Sequence, residues 1–186
     1  LTSKGLMNEN GSSLDSAQKM LAEVGLPEKR FGDGDRISFT RFTRPSLLTN
    51  EAMENAGQHK SKSYWRATSL GQVIEQLDLG RKAQTGCLWY SSYSVLFGKQ
   101  ILQPLAGQMR GGHAWVICGY DTDFNGEKVL IARNSFGESY GDKGLFYIRF
   151  SDFDKVCTFQ PRFNLDIERD LASWLSLQAG RGVVEL

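Results

Sequence analysis

The sequence has few of the residues that build metal clusters and disulfide frameworks. Its 186 residues include three cysteines, Cys87, Cys118 and Cys157, and two histidines, His59 and His113. No two cysteines have the spacing of a Cys-x-x-Cys zinc site, and an odd number is a poor disulfide framework. We therefore predict no metal site. The cysteine content favours a reducing compartment such as the cytoplasm, or a virus particle assembled in one.

Long apolar runs and a strong net charge are also lacking. The longest apolar run, residues 114–118, is far shorter than the roughly 20 residues of a membrane-spanning helix. A net charge of +1 provides no general attraction to nucleic acid or acidic lipid. We therefore predict neither a membrane nor a nucleic-acid partner. The chain begins at Leu1 with no signal-peptide pattern, so we expect a processed product, an excised domain or a partial sequence.

The composition that is present is typical of a globular protein. Apolar residues make up 40% of the chain and charged residues 23%, a balance typical of folded domains. Apolar residues at helical spacing predict a helix over residues 13–24, with Ser13 as its cap and Gly25 after its end. A second predicted helix lies between Ser69 and Gly80, where Ser69 and Gln72 form a capping-box pair. Residues 26–63 carry no such pattern and are expected to be irregular.

Most of the remaining apolar segments are β-prone. They predict a short strand over residues 64–67 and longer strands over 85–90, 114–120, 128–133 and 145–150. A turn over residues 123–127 separates two of these strands. The tail, residues 166–177, returns to helical spacing.

One histidine stands in a sequence context that suggests chemistry. His113 opens an apolar strand directly after Gly111 and Gly112, and Asn134 closes the next predicted strand. An asparagine there can accept a hydrogen bond from the imidazole N–H, which selects the tautomer and fixes the ring. A lone histidine or asparagine is usually structural, but the pair favours a catalytic site. Serine-hydrolase chemistry is disfavoured because no Gly-x-Ser-x-Gly motif occurs.

Residues 111–150 resemble the papain family of cysteine peptidases. The matching motifs are Gly112-His113-Ala114, Gly119-Tyr120, Asn134-Ser135-Phe136-Gly137, Tyr140-Gly141 and Gly144-Leu145-Phe146. Residues 11–100 show a fainter similarity to bacterial and viral relatives. The resemblance implies an α+β fold, a papain-like antiparallel, barrel-like sheet domain with a partial helical lobe. It also implies peptide-bond hydrolysis through a thioester, with His113 and Asn134 as catalytic residues and no cofactor.

The sequence departs from the family pattern in three places. Phe136 and Tyr140 replace two tryptophans, so we expect water to be excluded less well from Asn134. The family's nucleophilic cysteine segment is absent. In the family the histidine follows the cysteine by roughly 130–150 residues, which puts the expected cysteine about 18–38 residues before Leu1. Cys87 precedes His113, but it lies within a predicted strand, so we expect it to be a buried structural thiol.

These observations lead to a domain assignment and two alternative functions. Residues 1–165 are predicted to be an N-terminally incomplete papain-like domain, with a helical-lobe remnant over about 1–65, a sheet domain over about 66–165 and a helical tail over 166–186. One alternative is a peptidase fragment that acts on peptides or proteins when an upstream Cys segment completes it. The other is an inactive structural or binding module of a larger assembly such as a phage particle. We expect the chain by itself to be inactive, and the incomplete lobe to be covered by its missing segment or by another polypeptide.

Overall fold

A computed structural model describes residues 13–27 and 49–165 of the chain. The chain divides into two compact units, Leu1–Tyr64 and Trp65–Leu186, and each is described by itself. The predicted tail helix over residues 166–177 lies outside the described residues. None of the helices in the described part of the chain is long and apolar enough to cross a lipid bilayer.

Residues 13–27 and 49–64, the described part of the first unit, contain two short helices, α1 (Leu14–Glu23) and α2 (Asn50–Gln58). Helix α1 confirms the prediction, since the Ser13 hydroxyl accepts a hydrogen bond from Ser16 N at 3.0 Å. Gly25 follows α1 with φ +90°, and a Cβ on it would lie 1.8 Å from the Ala56 carbonyl oxygen. Only glycine allows this close approach of the two backbones.

Helix α2 corrects the expectation that residues 26–63 are irregular. Thr49 caps it, because its hydroxyl accepts from Ala52 N at 3.1 Å. Its buried side chains are small or polar, Ala52, Asn55 and Ala56, so its buried face lacks the large apolar residues on which a periodicity argument depends. Residues 28–48 lie outside the described part of the chain.

A six-stranded sheet, all but the first two residues of which belong to the second unit, has the spatial order β1-β6-β2-β3-β4-β5. The strands are β1 (Ser63–Arg66), β2 (Ala83–Tyr90), β3 (Met109–Phe124), β4 (Glu127–Arg133), β5 (Leu145–Arg149) and β6 (Phe159–Leu165). Strand β2 pairs antiparallel with β3 and with β6, β3 with β4, and β4 with β5. The predicted turn between β3 and β4 is present, with Asn125 at φ 53° and Gly126 at φ 81°.

Strand β6 is an element that the sequence analysis did not predict. It contains Pro161, and a proline within an apolar run argues against a strand because it cannot donate a ladder hydrogen bond. Here the Pro161 carbonyl accepts from Ala67 N at 2.8 Å. Phe163 of the same strand pairs with Ala83 of β2. The strand is therefore held in the sheet by the Pro161 carbonyl and by the residues on either side of it.

Two further helices accompany the sheet, α3 (Leu70–Asp78) and α4 (Phe153–Val156). Ser69 caps α3 as predicted, accepting from Gln72 N at 3.3 Å, while the Gln72 side chain accepts from Thr68 N at 2.8 Å. Val73 of α3 is fully buried in the same core cluster as Ile117, Leu130 and Phe146 of the sheet. The expected α+β class is therefore confirmed.

We predict that Gly86→Ala destabilises the protein. A Cβ at Gly86 in β2 would lie 2.2 Å from the His113 carbonyl oxygen in β3, so the two strands would have to separate. Overpacking of this kind costs about 1–3 kcal/mol, measurable as a lower free energy of unfolding in urea. The control is Gly71→Ala in α3, where the nearest atom is 4.0 Å away and a gain of roughly 0.5–1 kcal/mol is expected. Equal stability of Gly86→Ala and the unsubstituted protein would contradict the prediction.

Candidate active site

The two residues predicted to form a pair lie at the same end of neighbouring strands. His113 is near the start of β3, and Asn134 directly follows β4. The strands run antiparallel with Val116 opposite Arg133, so the start of one lies beside the end of the other. The structure brings the side chains together, with 2.9 Å between His113 Nε2 and Asn134 Oδ1.

This hydrogen bond determines which imidazole nitrogen is available for chemistry. The Asn134 oxygen can only accept, so Nε2 carries the proton and Nδ1 keeps a lone pair. Asn134 Oδ1 also accepts from Ser135 N at 2.7 Å, which holds the amide in this orientation. The arrangement leaves Nδ1 of His113 as a base directed away from Asn134.

Aromatic side chains surround the pair. The ring centroid of Phe136 lies 4.9 Å from that of His113, with 33° between the planes. Tyr140 is buried and donates its hydroxyl to the Tyr93 carbonyl at 2.7 Å. Burial raises the pKa of Tyr140 to about 12, against a smaller lowering by the Asn134 amide, so the phenol remains a neutral donor. Asn134 is only 6% exposed, so its amide is largely shielded from water with Phe136 and Tyr140 in place of the two tryptophans.

Trp89 also borders the site, although it was not among the site residues predicted from the sequence. Its ring centroid lies 4.5 Å from that of His113. Cys87 pairs with His113 across the β2–β3 ladder, and side chains alternate along a strand. Trp89, two residues beyond Cys87, therefore projects from the same face as His113. The strand pairing is the signal that would have found it.

None of the three thiols has the surroundings of a nucleophile. Cys87 is 1% exposed, its Sγ donates to the Leu88 carbonyl, and burial raises its pKa to about 12. Burial also raises the pKa of Cys157 and of Cys118, the latter partly offset by Lys82 and Arg133. Cys87 is thus the buried thiol that the sequence predicted. Within residues 13–27 and 49–165, no three His, Cys, Asp or Glu side chains converge as metal ligands.

Comparisons with known proteins agree on one family. The family model described as "Papain family cysteine protease" matches residues 49–163. Cathepsin B-like CP3 of Giardia intestinalis is 33% identical over 76 residues, which are 41% of this chain and 25% of that protein. The crystal structure of xylellain, a cysteine protease from Xylella fastidiosa, superposes with a TM-score of 0.68 at 19% identity. That superposition covers 87% of this chain and 64% of xylellain.

A further structure shows the same fold. Digestive procathepsin L 3 from the larval midgut of Tenebrio molitor superposes with a TM-score of 0.61 at 17% identity, over 83% of this chain and 49% of that one. The chain belongs to the papain family of cysteine proteases, and its α+β fold is papain-like. The matched region spans about a quarter of the length of the curated relatives Cathepsin B-like CP3 and Cathepsin B-like CP2 of Giardia intestinalis.

We predict that the folded chain reacts poorly with thiol reagents. Raised pKa values keep Cys87, Cys118 and Cys157 protonated at pH 8, and only thiolates react quickly. A colorimetric disulfide reagent should detect at most slow reaction at half-buried Cys118 in the native state, and all three thiols in guanidinium chloride.

The control for this measurement is Cys118→Ala, which should remove the slow native reaction. Rapid stoichiometric modification of Cys87 in the native protein would contradict the prediction. It would also reopen the assignment of Cys87 as a structural thiol.

Proposed function

We propose that this chain contributes the base and its orienting amide to a cysteine peptidase site that hydrolyses peptide bonds. The observation that carries the proposal is the 2.9 Å contact between His113 Nε2 and Asn134 Oδ1, within a chain of the papain family. A ring whose Nε2 proton is held by an amide presents the other nitrogen to a nucleophile.

In this proposal the reaction proceeds in two halves. His113 Nδ1 takes the proton of a cysteine thiol, and the resulting thiolate attacks the carbonyl carbon of the scissile peptide. The imidazolium then gives its proton to the leaving amine, and a thioester remains. Water, deprotonated by the same nitrogen, attacks the thioester and releases the acid product together with the thiol. Asn134 keeps the ring in one tautomer through both halves.

The nucleophile of the proposed reaction is supplied from outside these 186 residues. The support is that burial raises the thiol pKa of every cysteine in these 186 residues, namely Cys87, Cys118 and Cys157. A nucleophilic cysteine needs the opposite surroundings, a helix N-terminus or a positive charge that lowers its pKa. We infer that an upstream segment carries this cysteine, on the same precursor or on a separate chain.

The buried thiols also support a second candidate function. If no cysteine completes the site, the chain is a catalytically inactive papain-like module with a structural or binding role in a larger assembly, such as a phage particle. The two candidates differ in a single chemical property, namely whether the complete natural protein contains a thiolate beside His113.

We predict that the complete natural protein reacts with an electrophilic active-site probe for cysteine peptidases. Mass spectrometry should locate the label on a cysteine other than Cys87, Cys118 and Cys157. His113→Ala should slow labelling and peptide hydrolysis by at least about 100-fold, because general-base assistance contributes roughly 10²–10⁴-fold. Asn134→Ala should produce a smaller loss, because the base remains and only its orientation is relaxed.

The matched control is His59→Ala, which removes the chain's other histidine, an exposed residue outside the site, and should leave the labelling rate unchanged. Absence of labelling in a correctly folded complete protein would reject the peptidase and favour the binding module. Labelling that persists in His113→Ala at the unsubstituted rate would reject the role of His113.

A further inference from the structure

Trp89 occupies a central position among the aromatic side chains beside His113. Its ring contacts Phe136 with a centroid distance of 5.7 Å and an angle of 89°. Together with the 4.5 Å and 4.9 Å distances from His113 to Trp89 and Phe136, this makes a closed triangle of three rings. The imidazole is therefore contacted from two directions, by Phe136 at an interplanar angle of 33° and by Trp89 at 59°.

The two aromatic neighbours of His113 differ in how firmly they are held. Phe136 follows β4 in a loop and is 44% exposed. Trp89 lies in β2 and is 5% exposed. Its indole Nε1–H donates to the Ser94 hydroxyl at 2.8 Å, which satisfies the one polar group that a buried tryptophan carries.

Packing fixes the remaining freedom of the Trp89 ring. Tyr93 meets it edge-on at a centroid distance of 5.2 Å and an angle of 87°. Trp115 and Phe146 contact it at 5.7 Å and 6.3 Å. Edge-to-face contacts such as those with Tyr93 and Phe146 stabilise aromatic pairs beyond the burial of their surface. The indole is therefore the more rigid of the two surfaces against which the imidazole rests.

We propose that Trp89 is a positioning residue for His113, and that the Ser94 hydroxyl anchors Trp89 in that role. The inference rests on the proposed function, because it explains how the base is kept aligned with Asn134. The Asn134 hydrogen bond restrains the Nε2 edge of the ring. Trp89 packs against the same ring and hinders its rotation about the Cβ–Cγ bond, so Nδ1 keeps a constant direction.

The inference is tested first by nuclear magnetic resonance on the full 186-residue chain. The chain has two histidines, so ¹⁵N ring spectra contain one signal set for His113 and an internal reference from His59. At a pH where imidazole is neutral, the unsubstituted protein should show His113 with its proton on Nε2 and proton–proton contacts to the Trp89 indole. In Trp89→Leu we expect a mixture of both tautomers at His113 and no change at His59.

Two variants make the spectroscopic test specific. Ser94→Ala removes only the hydrogen-bond acceptor of the indole. It should change the tautomer populations of His113 in the same direction as Trp89→Leu, but by a smaller amount. Trp65→Leu removes another tryptophan of the same sheet, which packs on Phe163 in β6, and should leave the His113 signals unchanged. If Trp89→Leu does not fold, Trp89→Met replaces the indole with a flexible side chain and carries the same expectation. A single Nε2 tautomer in a folded Trp89 variant overturns the proposal.

Kinetics on the complete natural protein provide the second test. Misalignment of a base lowers the rate of the chemical step. Trp89→Leu should therefore lower kcat roughly 10-fold to 100-fold, while KM stays within about twofold of the unsubstituted value. Trp89→Phe should recover part of the lost kcat. A change in KM with kcat unchanged overturns the positioning role. If the complete protein has no peptidase activity, the proposed function fails, while the spectra still decide whether Trp89 holds the His113 ring.

Discussion

The hydrogen bond between His113 and Asn134 depends on the pairing of β3 with β4. The two residues are 21 positions apart in the chain and are joined at 2.9 Å because the strands run antiparallel in a fixed register. A shift by one residue would turn one of the side chains to the opposite face of the sheet. The register is held by buried residues of both strands, Ile117 opposite Ala132 among them. Core packing thus determines the geometry of the site.

A second constraint acts on the other side of β3. Gly86 of β2 lies so close to the His113 backbone that no side chain fits between them. The same strand presents Trp89 to the His113 ring. Strand β2 therefore has a glycine where the two backbones approach each other and a tryptophan where a side chain contacts the imidazole. The local chemistry of the histidine is thus set by three strands together.

The sequence predicted the parts of the fold that have strong local signals. Helix α1, helix α3 and strands β1 to β5 carry either clear periodicity or β-branched and aromatic runs, and their predictions were confirmed with shifts at the ends. The largest shift is in β3, which runs from Met109 to Phe124, so His113 lies within the strand and does not open it as predicted. Helix α2 was missed because its buried residues are small or polar, and β6 was missed because its sequence contains Pro161. Both elements depend on tertiary contacts, whose partners lie far away in the chain. A local pattern contains no information about such partners.

The sequence by itself determined that His113 and Asn134 belong together, because their spacing and the glycine and aromatic residues around them form a recognisable motif. It also determined that no cysteine of this chain stands where the family has its nucleophile. Only the tertiary structure decided that Asn134 is buried and that the Trp89 ring contacts the imidazole of His113. The reason is physical. Burial and ring contacts arise from the register of neighbouring strands, which is a property of the packed sheet and not of any one segment.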